Sequence, residues 1–250
     1  MSGHSKWSQI KRQKGVADAK RGQAFTKMGV AIAISVREGG GMADPAQNYK
    51  LRLMIEKARA INMPKENIER AIERGRGAAK GEGLHEVVYE GFGPGGIALI
   101  IEAVTDNPQR TTPEIRSAFE KNGGTMGAPG SVSYQFQKKG LISVRKESHS
   151  LDDIFLLAAD VGAEDVEEAG EDVIVYTKPE DLAKTKEALT KSGLIVTDME
   201  LVRSPMVTVS IGDKDTAEKI LSFTEKIENM DDVQKVFANF DIPEAVMNGR

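Results

Sequence analysis

Cysteine is absent from the 250 residues. That removes disulfides, thiolate zinc sites, iron–sulfur clusters and cysteine nucleophiles together. Histidine is scarce: His4, His85 and His149 are scattered and share no metal-ligand spacing. Aromatic residues make up 5% of the chain, with a single Trp, so the core must be mostly aliphatic. The most apolar helical stretch, 29–36, is far shorter than the ~20 residues that span a bilayer. The basic opening MSGHSKWSQIKRQK is followed by no apolar run, so a secretory signal is not expected and a cytoplasmic location is. The catalytic signatures G-x-S-x-G and H-E-x-x-H and the Walker loop are missing. The acidic pairs Asp152-Asp153 and Glu167-Glu168 read as solvated surface. The expectation is a protein without catalytic residues, metal or cofactor, and with neither a membrane nor a small-molecule partner.

What is present is a strong charge asymmetry. The net charge is -4, which on average argues against a nucleic-acid partner. Residues 1–80, however, hold 17 Lys/Arg against 7 Asp/Glu, a net of +10. Residues 81–250 hold 17 against 31, a net of -14. Such a bipolar chain has one end suited to polyanions.

Hydrophobic periodicity divides the chain further. Phe25, Met28, Ile32 and Val36 form one stripe of a helix, ended by Gly39-Gly40-Gly41. Asp44-Pro45 predicts the N-cap and first position of a second helix with Leu51, Met54, Ile55 and Ala58 inward. Pro64 opens a third, with Gly75 as its expected C-cap. Residues 74–83 are glycine-rich, charged and without period, which reads as a linker. The period then changes. Two β-rich runs, 85–92 and 97–105, flank Gly93-Pro94-Gly95-Gly96 as a hairpin. A helix is expected from Thr112-Pro113 to Gly123, and a strand over 132–136. Residues 141–202 read strand, helix, strand, strand, helix, strand, which is the ferredoxin-like order. Strand, helix and strand follow at 206–211, 216–227 and 233–237.

Neither 85–136 nor 204–250 makes a complete sheet alone, so the two are expected to join. The fold class is α+β and multidomain. A basic helical domain spans 1–80, and a discontinuous α+β sandwich domain spans 81–137 plus 204–250. An acidic ferredoxin-like (βαββαβ) domain, 138–203, is inserted in the sandwich.

Three segments are candidate sites. Lys6, Lys11, Arg12, Lys14, Lys20, Arg21 and Lys27 form a basic tract offset only by Asp18. Several phosphates could be neutralised there, with Trp7 as a stacking face for an unpaired base. The bland alternative is a solvated tail. Gly91-Phe-Gly-Pro-Gly-Gly96 could cradle a phosphate, but it runs from strand to strand and Pro94 lacks a donor, so a tight hairpin is favoured. Asp106-Asn-Pro-Gln-Arg-Thr-Thr-Pro113 precedes a helix, where Arg110 could meet a phosphate. Capping and turn chemistry is its plain alternative.

Met-Ser-Gly-His-Ser-Lys-Trp7, Lys20-Arg-Gly-Gln-Ala-Phe-Thr-Lys27, Asn62-Met-Pro-Lys-Glu-Asn-Ile-Glu-Arg-Ala-Ile72 and Tyr89-Glu-Gly-Phe-Gly-Pro-Gly-Gly96 together resemble the YebC/PmpR family. The likeness covers nearly the whole chain; Gln23-Ala24 departs from it, where relatives more often carry Lys and a larger apolar residue. The resemblance implies a helical N-terminal domain, an α+β domain and an inserted ferredoxin-like domain. It implies a cytoplasmic, non-enzymatic regulator. Bacterial members are described as transcriptional regulators that bind promoter DNA. A mitochondrial relative is a translational activator, and some bacterial members are linked to ribosomes paused on proline-rich sequences. The first expectation is thus a DNA-binding transcriptional regulator acting through its basic end. The alternative is a ribosome-associated translation factor contacting rRNA or tRNA. An enzyme or small-ligand sensor has only fold analogy behind it.

Overall fold

The computed structural model describes residues 18–79, 83–147 and 149–247. Three helices come first: α1 (Asp18–Glu38), α2 (Tyr49–Ala60) and α3 (Lys65–Ala79). Ile32 and Val36 of α1 bury against Leu51, Ile55 and Ala58 of α2 and Ile68 and Ala71 of α3. The second helix is capped by Asn48 and not by Asp44. Asn48 Oδ1 accepts from Leu51 N (3.0 Å), while Nδ2 donates to Ser35 O (2.9 Å) and Met42 O (3.0 Å). One buried amide therefore ties the end of α1 to the start of α2. Asp44 instead closes a local turn onto Ala46 N. Gly75 does not cap α3, which runs on to Ala79. A Cβ there would lie 2.6 Å from Ala33 O and 2.7 Å from Val36 Cβ. Close approach of α1 outweighs the ~1 kcal/mol that glycine costs inside a helix.

The hairpin forms as expected. Strands β1 (His85–Phe92) and β2 (Ala98–Thr105) pair antiparallel from His85↔Thr105 to Phe92↔Ala98. Helix α4 (Pro108–Lys121) starts four residues before the expected point, because Asn107 accepts from Arg110 N and serves as N-cap. Pro113 is the sixth residue of this helix, past its first turn, and so forgoes one helical bond, to Gln109 O. Residues 132–136 are not a strand. Ser133–Gln135 make a single 3₁₀ turn, and β4 begins at Phe136 and runs to Arg145. The expected strand over 206–211 shrinks to β8 (Val209–Ser210), which pairs parallel with β10 (Phe240–Asp241).

Between these lie α5 (Leu151–Asp160), β5 (Asp165–Ala169), β6 (Asp172–Thr177), α6 (Leu182–Lys191) and β7 (Ile195–Pro205). With β4 they form an antiparallel sheet of order β5-β6-β4-β7. Helix α7 (Lys214–Glu228), β9 (Val233–Ala238) and a short α8 (Glu244–Met247) complete the chain. Strand β9 joins β2, and β3 (Thr125–Met126) joins β1, giving the order β3-β1-β2-β9. Chain segments on both sides of 136–205 thus share one sheet.

That sheet is covered on both faces. On one side Leu99 and Ile101 meet Ile115 and Phe119 of α4 and Ile220 and Phe223 of α7. The Phe119 and Phe223 rings meet edge to face at 5.3 Å. On the other side Ile100 and Phe237 pack with Leu141, Ile174, Tyr176 and Val202 of the second sheet. Val30 and Ala33 of α1 cover Val104 and Leu84 on that same side. The first helix is therefore buried twice, in its own bundle and on the sheet. The class is mixed helix and antiparallel sheet, as expected. Among the described residues no helix is long and apolar enough to cross a membrane.

Candidate nucleic-acid interface

Lys6, Trp7, Lys11, Arg12 and Lys14 lie outside the described residues. Lys20 and Arg21 fall in the first turns of α1. Lys27 is nearly two turns further, half-buried, and its Nζ donates to Glu228 O (2.5 Å) at the end of α7. It sits in a cavity of about 770 Å³ where α1, β1–β2 and β7 converge, beside Ile34, Val88, Glu102, Leu201 and Arg203. Arg203 Nε donates to Glu102 Oε1 (2.8 Å) across that seam.

Arg110 lies at the start of α4, as the sequence suggested. Its guanidinium bonds Asp232 Oδ2 (2.9 Å) and Asp106 Oδ1 (3.2 Å). The hydrogen bond to Asp232 and that carboxylate's charge raise the Arg110 pKa above its ordinary value. Burial pushes the Asp232 carboxyl up, but bonds from Thr111, Arg110 and Thr105 hold it below the usual range. Thr111 Oγ1 reaches Asp232 Oδ2 at 2.6 Å. Asp232 O in turn accepts from Val104 N (2.8 Å). Lys27 and Arg110 are brought to one short segment, Glu228–Asp232, and each is engaged there by an internal partner.

The structure adds cations that the tract-based reading did not single out. With Leu51, Ile55 and Ala58 buried, helical period turns Arg52, Glu56 and Arg59 outward on α2. On α3, Arg70, Arg74 and Arg76 are exposed. Arg76 pairs with Glu73 (2.8 Å), and Arg70 donates to Asn67. Arg59 and Arg74 make no ion pair with another described residue. The Arg52 guanidinium lies over the Tyr49 ring at 5.4 Å from its centroid. Tyr49 is nevertheless 50% exposed. This pair borders a cleft of about 500 Å³ shared with Lys57, Lys186 and Asp198. Lys57 spans the cleft to Asp198 at 2.5 Å, joining α2 to β7. The signal for these residues was in the sequence, as the polar complement of the apolar stripe on α2. Composition alone merged them into the +10 total.

The glycine loop 93–96 holds no open phosphate cradle. Gly95, at φ 72°, packs its backbone against Thr216 and Ile220 of α7. A Cβ at Gly93 would strike Phe223 at 2.7 Å. These glycines serve a tight turn and close helix contact, the plainer of the two readings. No group of acidic or histidine side chains suited to a metal occurs among the described residues.

Residues 5–78 match the family described as the TACO1/YebC protein N-terminal domain. Residues 84–240 match the TACO1/YebC second and third domain. A probable transcriptional regulatory protein from Sulfurihydrogenibium sp. is 49% identical over 248 residues, covering 99% of this chain and 98% of that protein. One of the same description from Aquifex aeolicus is 46% identical over 247 residues, at 99% and 98% coverage. The crystal structure of a conserved hypothetical protein from Aquifex aeolicus superposes with a TM-score of 0.80 at 46% identity. It covers 90% of this chain and 92% of that one.

Proposed function

The chain belongs to the TACO1/YebC family, and from that premise we propose that it is a non-enzymatic, DNA-binding regulator of transcription acting through its basic N-terminal end in the cytoplasm. The family's regulatory naming supports the role. The observation that carries the nucleic-acid partner is the concentration of net +10 in residues 1–80 of an otherwise acidic chain. Outward cations on α2 and α3 extend that charge beyond the tract. The proposed contact set is Lys6, Trp7, Lys11, Arg12, Lys14, Lys20 and Arg21, with Lys27 and Arg110 at its margin. The proposal takes 1–80 as the binding domain, 81–137 with 204–250 as the α+β scaffold, and 138–203 as the acidic insert. Acidic surface beyond residue 80 repels polyanions and so restricts where the basic end docks.

The test is a gel shift with the full chain on promoter fragments at moderate salt. A sequence-specific complex that survives excess competitor DNA is expected. Sequence-blind retention that disappears with salt refutes transcriptional specificity.

One observation favours a second reading, translation at the ribosome. Tyr49 is exposed with Arg52 stacked on one face, an arrangement suited to an unpaired base and of little use against duplex DNA. Co-sedimentation with ribosomes, lost on deletion of residues 1–27, is its expected signature. Equal sedimentation of the truncated protein refutes it.

A further inference from the structure

From Asn122 to Gln137 the chain runs sixteen residues without a charged side chain, and Ser204–Gly212 adds nine more. In a protein with 29% charged residues, these are two of the longer uncharged runs. The fold joins them. Met206 N donates to Gln135 O (2.8 Å), and Phe136 pairs with Pro205 at the start of the β4–β7 ladder. The resulting tip exposes Tyr134 (68%), Met206 (57%) and Val207 (70%). Ala128, Pro129, Gly130 and Thr208 are exposed in the same two segments.

The tip is firmly built. Glu90 is buried, yet its carboxylate accepts from Gly130 N, Val132 N and Ser133 N, each at 2.8 Å. It thereby fixes the loop that ends in Tyr134. Asn239 is buried as well: it accepts from Ala98 N (2.7 Å) and donates to Gln135 Oε1 (3.1 Å). Two buried polar groups thus anchor the segment around an exposed aromatic ring, Glu90 through the backbone before it and Asn239 through the Gln135 side chain after it. Exposed apolar side chains on a loop already ordered lose little further entropy on docking, which is the condition for a binding hot spot.

We propose that the Tyr134–Met206–Val207 tip is a docking surface for a protein partner whose contacting face is apolar and uncharged. The match of charge selects this class. A nucleic-acid backbone requires cations, and neither segment contains one. A charged protein face would be desolvated here without a partner group. A neutral apolar face meets like surface, as in the core of a protein interface. The inference is independent of the nucleic-acid function assigned to the basic end.

The test places a benzophenone amino acid at Tyr134 of the full chain in cells that natively contain the protein. Crosslinked species are mapped by mass spectrometry. The expected result is one protein, attached through an uncharged apolar face, with the yield falling at least tenfold in Val207→Lys. That partner, once purified, should bind Val207→Lys at least tenfold more weakly than wild type in calorimetry. Val207 is largely exposed, so the variant should melt like wild type. Crosslinks to nucleic acid only, to a second copy only, to a highly charged face or to nothing overturn the proposal. So does a yield indifferent to Val207→Lys.

Discussion

Replacing Glu90 by Gln tests the packing of the central loop in a single atom. In the wild type one carboxylate oxygen accepts from Gly130 N and the other from Val132 N and Ser133 N. Glutamine keeps one accepting oxygen and turns an amide N–H₂ toward a backbone donor. Hydrogen bonds to a charged group contribute about 1.5–3 kcal/mol each, so losing the one from Gly130 N, opposing that donor with an N–H₂ and removing the charge from the other two should destabilise by about 2–4 kcal/mol near neutral pH. At about 2–4 °C per kcal/mol for a chain of this size, the melting temperature should fall by roughly 4–16 °C. Acidity gives a sharper check. Burial pushes the Glu90 carboxyl up, but the bonds from Gly130, Val132 and Ser133 prevail and leave its pKa below the ordinary value. A carboxyl lowered on folding stabilises fully above its unfolded pKa, about 4.3, and loses that contribution as pH falls through the folded value. The gap between wild type and Glu90→Gln should therefore be widest near neutrality and close in the acid range. Urea midpoints across that range measure it, and amide exchange at Gly130–Ser133 localises it. An unchanged midpoint at neutral pH, or a gap that widens on acidification, would refute the account of this loop.

Gly75→Ala should destabilise by about 1–3 kcal/mol despite alanine's better helix propensity, because its Cβ would collide with Ala33 O; thermal unfolding measures it, and a stabilised variant would mean that α1 and α3 separate freely. Asn48→Ala removes a cap and two further bonds from a buried site and should cost about 2–4 kcal/mol in denaturant unfolding. A joint Tyr49→Ala, Arg52→Ala variant should bind single-stranded RNA about tenfold more weakly, from ~1–3 kcal/mol per stacked base, with duplex binding altered far less; fluorescence anisotropy separates the two. Replacing Lys6, Lys11, Arg12 and Lys14 together by Ala should lower the slope of log affinity against log salt on duplex DNA by up to about 3–4, and an unchanged slope would place the phosphates elsewhere.

The legible parts of the fold were those set by local periodicity. Alternation and turn chemistry marked the β1–β2 hairpin and nearly every element from Leu141 to Val202. The errors fall where a residue acts over long range. Gly75 looks like a C-cap because its contact, Ala33, is some forty residues earlier. Asn48 displaced Asp44 as cap because its amide also answers two carbonyls from the preceding helix and loop. Residues 132–135 are rich enough in β-formers to read as a strand. The carboxylate of Glu90 captures Val132 N and Ser133 N before any strand can. For the proposed interface, sequence marked the basic end. It could not say that Arg110 faces Asp232 from far along the chain, nor that Tyr49 and Arg52 border a cleft.

The +10 of residues 1–80 overstates the charge available to a partner. Lys27 is held by Glu228 O, Arg37 by Leu84 O and Glu86, and Lys57 by Asp198, all beyond residue 80. These contacts dock the basic bundle onto the acidic remainder, and each basic group is at least partly buried. Such pairs are screened by salt much less than exposed ones. Arg59 and Arg74, on the outer faces, are among the cations that lie under full screening. Two salt regimes follow from that division. Moderate salt should strip the nucleic acid while leaving the bundle docked, and a wider range is needed before the seam at Lys27 and Lys57 loosens. The charge asymmetry thus acts at two depths: the inner cations fix the orientation of the bundle, and the outer ones are left for the proposed nucleic-acid contact.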